Sequence, residues 1–153
     1  MKYLIFTLFI SFFPIISNAQ INLSNLDEKV RNDYLEKLSI EVIKETGPDY
    51  LKECNTIVIT GPLVYSIKDT GVNPDKEFVL CFGRKYYLVR FLDVNNDNKE
   101  VSRVCVWEDD GEPASVDYRN GWGFEFIHKP YKEFIKLNRK IQYEEPYHFD
   151  DIE

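Results

Sequence analysis

The chain has 153 residues, with 19 Lys and Arg against 26 Asp and Glu, and a formal net charge of −7 at pH 7. A negative charge of this size repels nucleic-acid phosphates and anionic lipid surfaces, so the composition disfavours both as partners. The aromatic content of 15% favours a packed core over a disordered chain.

Residues 1–19 have the layout of a secretory signal peptide. Lys2 supplies a positive charge, Tyr3–Ile16 is an apolar run, and Ser17–Ala19 places small residues before a cleavage point. The alternative, a membrane anchor, requires about 20 apolar residues, and this run is shorter. Cleavage would leave Gln20–Glu153 as one domain with a net charge of −8. The pattern predicts export to the periplasm or beyond, as from a Gram-negative bacterium, with no membrane insertion after cleavage; a eukaryotic secretory route also fits.

A long amphipathic helix is predicted from Asn25 to Thr46. Ser24 is a suitable N-cap, with Asp27 three residues later, and Gly47–Pro48 ends the pattern. Apolar residues at helical spacing form one stripe that a sheet would cover: Leu26, Val30, Tyr34, Leu35, Leu38, Val42 and Ile43.

Alternating and β-branched segments after this helix predict an antiparallel sheet. Thr56–Thr60 is one strand, Leu63–Ile67 is a further candidate, and Lys68–Lys76 is a polar loop. Five more strand segments follow: Glu77–Phe82, Tyr86–Leu92, Val101–Glu108, Ala114–Tyr118 and Trp122–Ile127.

The predicted fold class is α+β, with one long N-terminal helix packed on a four- to five-stranded antiparallel meander and a short C-terminal helix. Pro130 begins that second helix, which ends near Arg139. The acidic tail from about residue 142 is predicted to be mobile.

The turns between the strands select one register, because a shift of one residue moves every side chain to the other face of the sheet. The predicted pairs are Leu80–Tyr87, Tyr87–Val106, Val89–Val104, Val106–Ala114, Val104–Val116, Tyr118–Trp122, Val116–Phe124 and Ala114–Phe126. One face is then continuously apolar and is the predicted core: Leu80, Tyr87, Val89, Phe91, Val104, Val106, Ala114, Val116, Tyr118, Trp122, Phe124 and Phe126.

The opposite face of the predicted sheet mixes aromatic and charged residues. Tyr86 and Trp107, flanked by Arg90 and Arg103, form a candidate binding patch, since aromatic residues and Arg are enriched at binding hot spots. Alternatively, the Leu63–Ile67 segment or the C-terminal helix covers Trp107 and its apolar neighbours, because contiguous apolar patches rarely stay exposed.

No motif indicates catalysis, a metal or a cofactor, and we expect none of the three. Asp93–Asn98 resembles the start of a calcium-binding loop, but the later Gly and bidentate Glu are missing. Asp69–Gly71 matches the triplet of aspartic proteases, yet its neighbours are typical of a turn.

Cys54, Cys81 and Cys105 are an odd number of cysteines for a chain predicted to be exported. In the predicted register Cys81 and Cys105 are two strands apart, about 9–10 Å by strand spacing. A disulfide requires Cα atoms within about 7 Å, so we expect no bond between them. Pairing of Cys54 with either one stays open.

The stretch from Tyr86 to Tyr118 resembles the strand–turn–strand core of small exported PepSY-like proteins. Tyr87–Phe91 is one strand of that core, and Val104–Pro113 is the next strand with its acidic Gly-Glu turn. A cystatin-like helix on a curved sheet is a neighbouring resemblance, although the Gln-x-Val-x-Gly loop does not occur. The resemblance implies non-catalytic binding or inhibition in the cell envelope.

The sequence therefore predicts a secreted, non-enzymatic binding or inhibitory module that recognises protein or peptide. The alternative is a small-ligand or glycan-binding protein of the cell envelope, with Trp and Tyr rings stacking on sugar. A small hydrolase is the third hypothesis.

Overall fold

The computed structural model describes residues 20–47, 50–66, 68 and 76–138. Four predictions lie wholly or mostly outside these residues: the signal peptide, the Lys68–Lys76 loop, the Asp69–Gly71 triplet and the acidic tail from about residue 142.

The described chain forms three α-helices and five strands. In chain order they are α1 (Glu28–Thr46), β1 (Thr56–Val64), α2 (Lys76–Leu80), β2 (Lys85–Asp93), β3 (Lys99–Trp107), β4 (Pro113–Tyr118), β5 (Gly123–Glu125) and α3 (Tyr131–Asn138). Short 3₁₀ turns occur at Leu23–Asn25, Tyr50–Glu53 and Val94–Asn96. The strands form one antiparallel sheet in the order β1-β2-β3-β4-β5, which confirms the α+β meander.

The first helix begins later than predicted because Asp27, and not Ser24, is its N-cap. The Asp27 side chain accepts a hydrogen bond from the backbone N–H of Val30 at 3.1 Å. Ser24 instead belongs to the preceding 3₁₀ turn, where Asn22 Oδ1 accepts its backbone N–H at 2.9 Å. At the other end, the Gly47 N–H donates to Ile43 at 3.0 Å, and the helix ends at Thr46 as predicted.

The main core lies between α1 and one face of the sheet. Leu35, Val42 and Ile43 of α1 are buried against this face. The predicted pairs Tyr87–Val106, Val89–Val104, Val104–Val116 and Val116–Phe124 are all present in the sheet. The hydrophobic pattern thus predicted the register of the central strands correctly.

The Glu77–Phe82 segment is wrong as a strand. β1 pairs along nearly all of β2, from Thr56–Leu92 to Val64–Lys85, so that edge of β2 is already occupied. The segment forms the short helix α2 and a turn, and Leu80 is 80% exposed instead of facing Tyr87. Leu63 and Val64 likewise belong to β1, which continues through a bulge at Gly61–Pro62.

Two other residues predicted for the core face lie elsewhere. A bulge between Cys105 and Val106 places Val106 opposite Pro113, so Ala114 moves to the other face and is buried beside Trp107. Trp122 pairs with Tyr118 as predicted, since the Tyr118 N–H donates to its carbonyl at 2.7 Å, but its side chain is half exposed instead of buried in the core.

α3 closes one end of the main core. Tyr131 at its start is buried, contacts the Phe126 ring at 5.3 Å between centroids, and donates a hydrogen bond to Glu45 of α1 at 2.7 Å. Burial and the nearby carboxylate raise the pKa of the Tyr131 phenol. The helix therefore covers the core side of the sheet.

Candidate functional site

The sheet face that points away from α1, here called the outer face, carries three aligned rows of side chains. Cross-strand partners share a face, so the register gives each row directly. The rows are Arg90–Arg103–Asp117–Gly123, then Leu88–Cys105–Ser115–Glu125, then Tyr86–Trp107 at the end nearest the β3–β4 turn.

The outer face contains a groove of about 390 Å³, which we call the outer-face groove. Its middle row includes the small side chains of Cys105 and Ser115, and larger aromatic and charged side chains line the groove on both sides of that row. The lining residues are Tyr65, Lys68, Tyr86, Leu88, Arg103, Cys105, Trp107, Ala114, Ser115, Asp117, Glu125 and Ile127.

One end of the groove is aromatic. The Trp107 ring packs edge-on against Tyr65 at 5.4 Å and against Tyr86 at 6.3 Å between centroids. Tyr65 lies over the outer face because the chain beyond β1 stays paired: its N–H donates to Arg84 and its carbonyl accepts from Gly83, both at 2.9 Å. Perpendicular ring pairs of this kind favour a fixed arrangement.

Trp107 is also held from its other side by Arg84. The guanidinium carbon lies 4.1 Å from the centre of the indole ring. Arg84 in turn makes two hydrogen bonds to Asp109, at 2.6 and 3.1 Å, and one to Asp110 at 2.8 Å. Burial lowers the pKa of Arg84, but these carboxylates outweigh it and hold the pKa above its usual value, so the residue stays charged.

The opposite end of the groove is charged. Arg103 Nε lies 3.3 Å from Asp117 Oδ2 and 3.4 Å from Glu100 Oε1. Asp117 fits here because its cross-strand partner is Gly123: a Cβ at that position would lie 2.7 Å from Asp117 Oδ1. Both Arg103 and Asp117 have about half of their side-chain surface exposed, so a ligand can reach them.

Arg90 lies directly opposite Arg103 on the neighbouring strand. Two like charges in this position repel each other. Arg103 is balanced by its two carboxylates, whereas Arg90 has no carboxylate within ion-pair distance among the described residues, and its Nε is buried there without a hydrogen-bond acceptor. The Arg90 Nε–H therefore has no acceptor among the described residues.

The four predicted site residues share the outer face, but they differ in accessibility. Tyr86, Arg103 and Trp107 line the groove, and Arg90 lies beside it. Trp107 is only 4% exposed, and Tyr65 of the predicted Leu63–Ile67 segment is one of the residues that cover it. The C-terminal helix does not cover it, because α3 packs on the core side.

Several lining residues were not predicted. Asp117 and Ser115 could have been found, since the predicted register already placed β4 beside β3. Tyr65 could not, because its position depends on the bulge of β1 at Gly61–Pro62. Ala114 reaches the groove only through the bulge in β3–β4 pairing.

Cys81 does not lie on a strand, so its predicted separation from Cys105 by two strands is wrong. Cys81 follows α2 and is buried with Trp107, and Cys105 packs against the same cluster. None of the three cysteines is in a disulfide.

The polar groups of the described residues do not form a metal centre, as no group of three or more His, Cys, Asp or Glu is arranged to hold an ion. The Asp93–Asn98 segment is the β2–β3 turn, in which Asp93 Oδ1 accepts from the Asn95 N–H at 3.0 Å. Asp97 and Asn98 adopt left-handed backbone angles there. Within residues 20–138, as far as they are described, no helix is long and apolar enough to cross a bilayer.

Comparison with protein-family models, with curated proteins and with solved structures finds no match to this chain. The resemblance to PepSY-like and cystatin-like proteins therefore stays a prediction.

Proposed function

We propose that this protein is an exported, non-enzymatic binding or inhibitory module that recognises a protein or peptide segment through the outer-face groove. One observation carries the proposal: the groove joins a packed aromatic end to a half-exposed Arg103–Asp117 ion pair on the sheet face opposite α1 and α3. Aromatic anchors beside Arg are typical of binding hot spots. An extended segment can place its side chains in such a groove at every second residue.

The groove suits recognition better than catalysis. Its charged lining residues include the Arg103–Asp117 ion pair and charges at the rim. The only described histidine, His128, pairs with Glu77 at 3.0 Å and is not a lining residue.

A selection of displayed random peptides against the protein, expressed from its full sequence, tests the proposal. Ser115→Trp fills the groove from the middle row, and Lys37→Trp on the exposed side of α1 is the control of equal size. We expect peptides that bind the native protein and the Lys37→Trp variant but not Ser115→Trp. Peptides that bind all three equally would place recognition elsewhere.

A small ligand or glycan is the second candidate, because the groove volume of about 390 Å³ falls in the range of about 300–1,000 Å³ typical of small-molecule sites. Stacking of sugar on Trp107 is not favoured, since Arg84 and Tyr65 cover that ring. Tyr86 at the groove surface is the better stacking residue. A ligand that raises the melting temperature of the native protein but not of Ser115→Trp would support this candidate over the first.

A further inference from the structure

We infer that the segment recognised by the outer-face groove is acidic, with an apolar side chain between two carboxylates; this inference rests on the proposed function above. The argument comes from which polar groups of the groove are already used within the protein and which are not.

The carboxylates at and beside the groove already have partners. Asp117 and Glu100 both pair with Arg103, at 3.3 and 3.4 Å. Glu125, at the rim, makes an interaction of its own. A cationic ligand would have to compete with these contacts.

Two cationic side chains near the groove, by contrast, lack such partners. Among the described residues, Arg90 has no carboxylate within ion-pair distance and its buried Nε has no acceptor, and the Lys68 ammonium makes no ion pair. Guanidinium and ammonium groups are donors only, so their natural complement is a carboxylate. The groove and its edge therefore have two cations, Lys68 and Arg90, that no described carboxylate pairs with.

One cation lies beside the charged end of the groove, and the other is among the residues that line it. Arg90 is in the charged row, and Lys68 is a lining residue that follows Tyr65 at the aromatic end. From the row of Arg90 to the row of Tyr86 is four residues along β2, a distance of about 13 Å at the usual rise per strand residue.

In an extended peptide that lies along β2, residues four apart are separated by the same distance of about 13 Å. Side chains four residues apart point to the same face, and so does the one midway between them. Acids at the first and fifth positions would then meet Arg90 and Lys68, while the third side chain enters the groove over Cys105 and Ser115. The expected pattern is acid–x–apolar–x–acid.

The net charge of the protein opposes a large acidic partner at long range. At physiological salt this repulsion is screened beyond about 8 Å, so contacts within a few ångströms decide the preference. The charge distribution therefore selects a short acidic segment more readily than an extensive acidic surface.

The peptides selected on the native protein but not on Ser115→Trp provide the test. We expect them to be enriched in the acid–x–apolar–x–acid pattern. Binding of an enriched peptide, synthesised with a fluorescent label, should weaken roughly fivefold in Arg90→Gln and again in Lys68→Gln. Lys37→Gln on α1 is the matched control and should leave the affinity unchanged.

The outcomes separate the two proposals. Enriched peptides that are basic or neutral, or whose affinity ignores both Arg90→Gln and Lys68→Gln, would overturn the acidic preference while leaving the groove as the binding site. No enrichment over Ser115→Trp would overturn the proposed function itself.

Discussion

Trp107 is the residue whose role changes most between sequence and structure. If Trp107 lay on an exposed binding patch, as the sequence suggests, Trp107→Ala would remove binding and leave the stability of the protein nearly unchanged. Its 4% exposure, with Tyr65, Tyr86 and Arg84 around the ring, makes it part of a small second core instead. The truncation would therefore perturb stability and binding together, which is why Ser115→Trp is the better probe of the groove.

We expect Trp107→Ala to lower the free energy of unfolding by about 3–5 kcal/mol, as for other large aromatic truncations in a core. Trp122 is the matched control, because half of its surface is exposed. Trp122→Ala should change stability by less than about 1 kcal/mol. Urea unfolding of both variants measures the difference, and equal losses would contradict the burial of Trp107.

Glu112 makes stability depend on pH. Burial raises its pKa above the usual 4.5; Lys132 partly lowers it, and Asp110 raises it further. The folded state then holds the proton more tightly than the unfolded state, so stability falls as pH rises from about 4.5 through the raised pKa.

Glu112→Gln mimics the protonated form of the side chain and should remove the loss of stability that accompanies rising pH. The variant should match the native protein near pH 4 and become the more stable of the two as pH rises towards 7, measured by urea unfolding at each pH. Lys132→Gln should instead increase the loss of stability with rising pH, because it removes the charge that lowers the Glu112 pKa. A gap between native and Glu112→Gln proteins that does not vary with pH would argue against the raised pKa.

At the scale of elements, the end of α1 is fitted closely to β4. A Cβ on Gly47 would lie 2.2 Å from the ring of Tyr118, whose hydroxyl is hydrogen-bonded to Thr46 Oγ1 at 2.7 Å. The Gly47 backbone itself tolerates any residue, since its φ is −125°. Only the contact with the ring requires glycine there.

Gly47→Ala should therefore destabilise the protein by about 1–3 kcal/mol, the usual cost of overpacking. In a Tyr118→Leu background the ring is gone, and the additional loss from Gly47→Ala should shrink, which a double-mutant cycle measures by thermal unfolding. An unchanged loss in that background would show that the clash is not its cause.

The strands that were predicted correctly are those whose pairing is fixed by the need to bury one face of the sheet. Alternation along β2, β3 and β4 buries Val89, Val104 and Val116 in one face, and a shift of one residue would move them to the other face. Tyr86, Arg103 and Trp107 were placed on the outer face for the same reason, since the side chains of a strand alternate.

The prediction failed where two segments compete for the same position in the sheet, or where a bulge or turn interrupts the regular strand or helix pattern. The Glu77–Phe82 segment has the alternation of a strand, but β1 occupies the position beside β2. Ala114 and Tyr65 reach the outer face through bulges, each of which depends on how a neighbouring strand packs. Asp27 and Ser24 are both good caps, and the 3₁₀ turn at Leu23–Asn25 decides between them.

At the scale of the whole molecule, one sheet separates two different surfaces. The face under α1 and α3 is a continuous apolar core, whereas the outer face is apolar only near Trp107 and opens into a groove that has Lys68 in its lining and Arg90 at its edge, two cations that no described carboxylate pairs with. On an acidic protein, this arrangement favours a selective contact with a short segment over broad adhesion to an acidic surface.

The central claim is that the outer-face groove is the recognition site. Nuclear magnetic resonance tests this claim most directly. Backbone amide spectra would be recorded with and without a peptide selected on the native protein. We predict that the shifted signals cluster at Leu88, Cys105, Ser115 and Glu125, in the middle row of the outer face. Shifts confined to the exposed side of α1, such as Lys37 and Glu41, would contradict the claim.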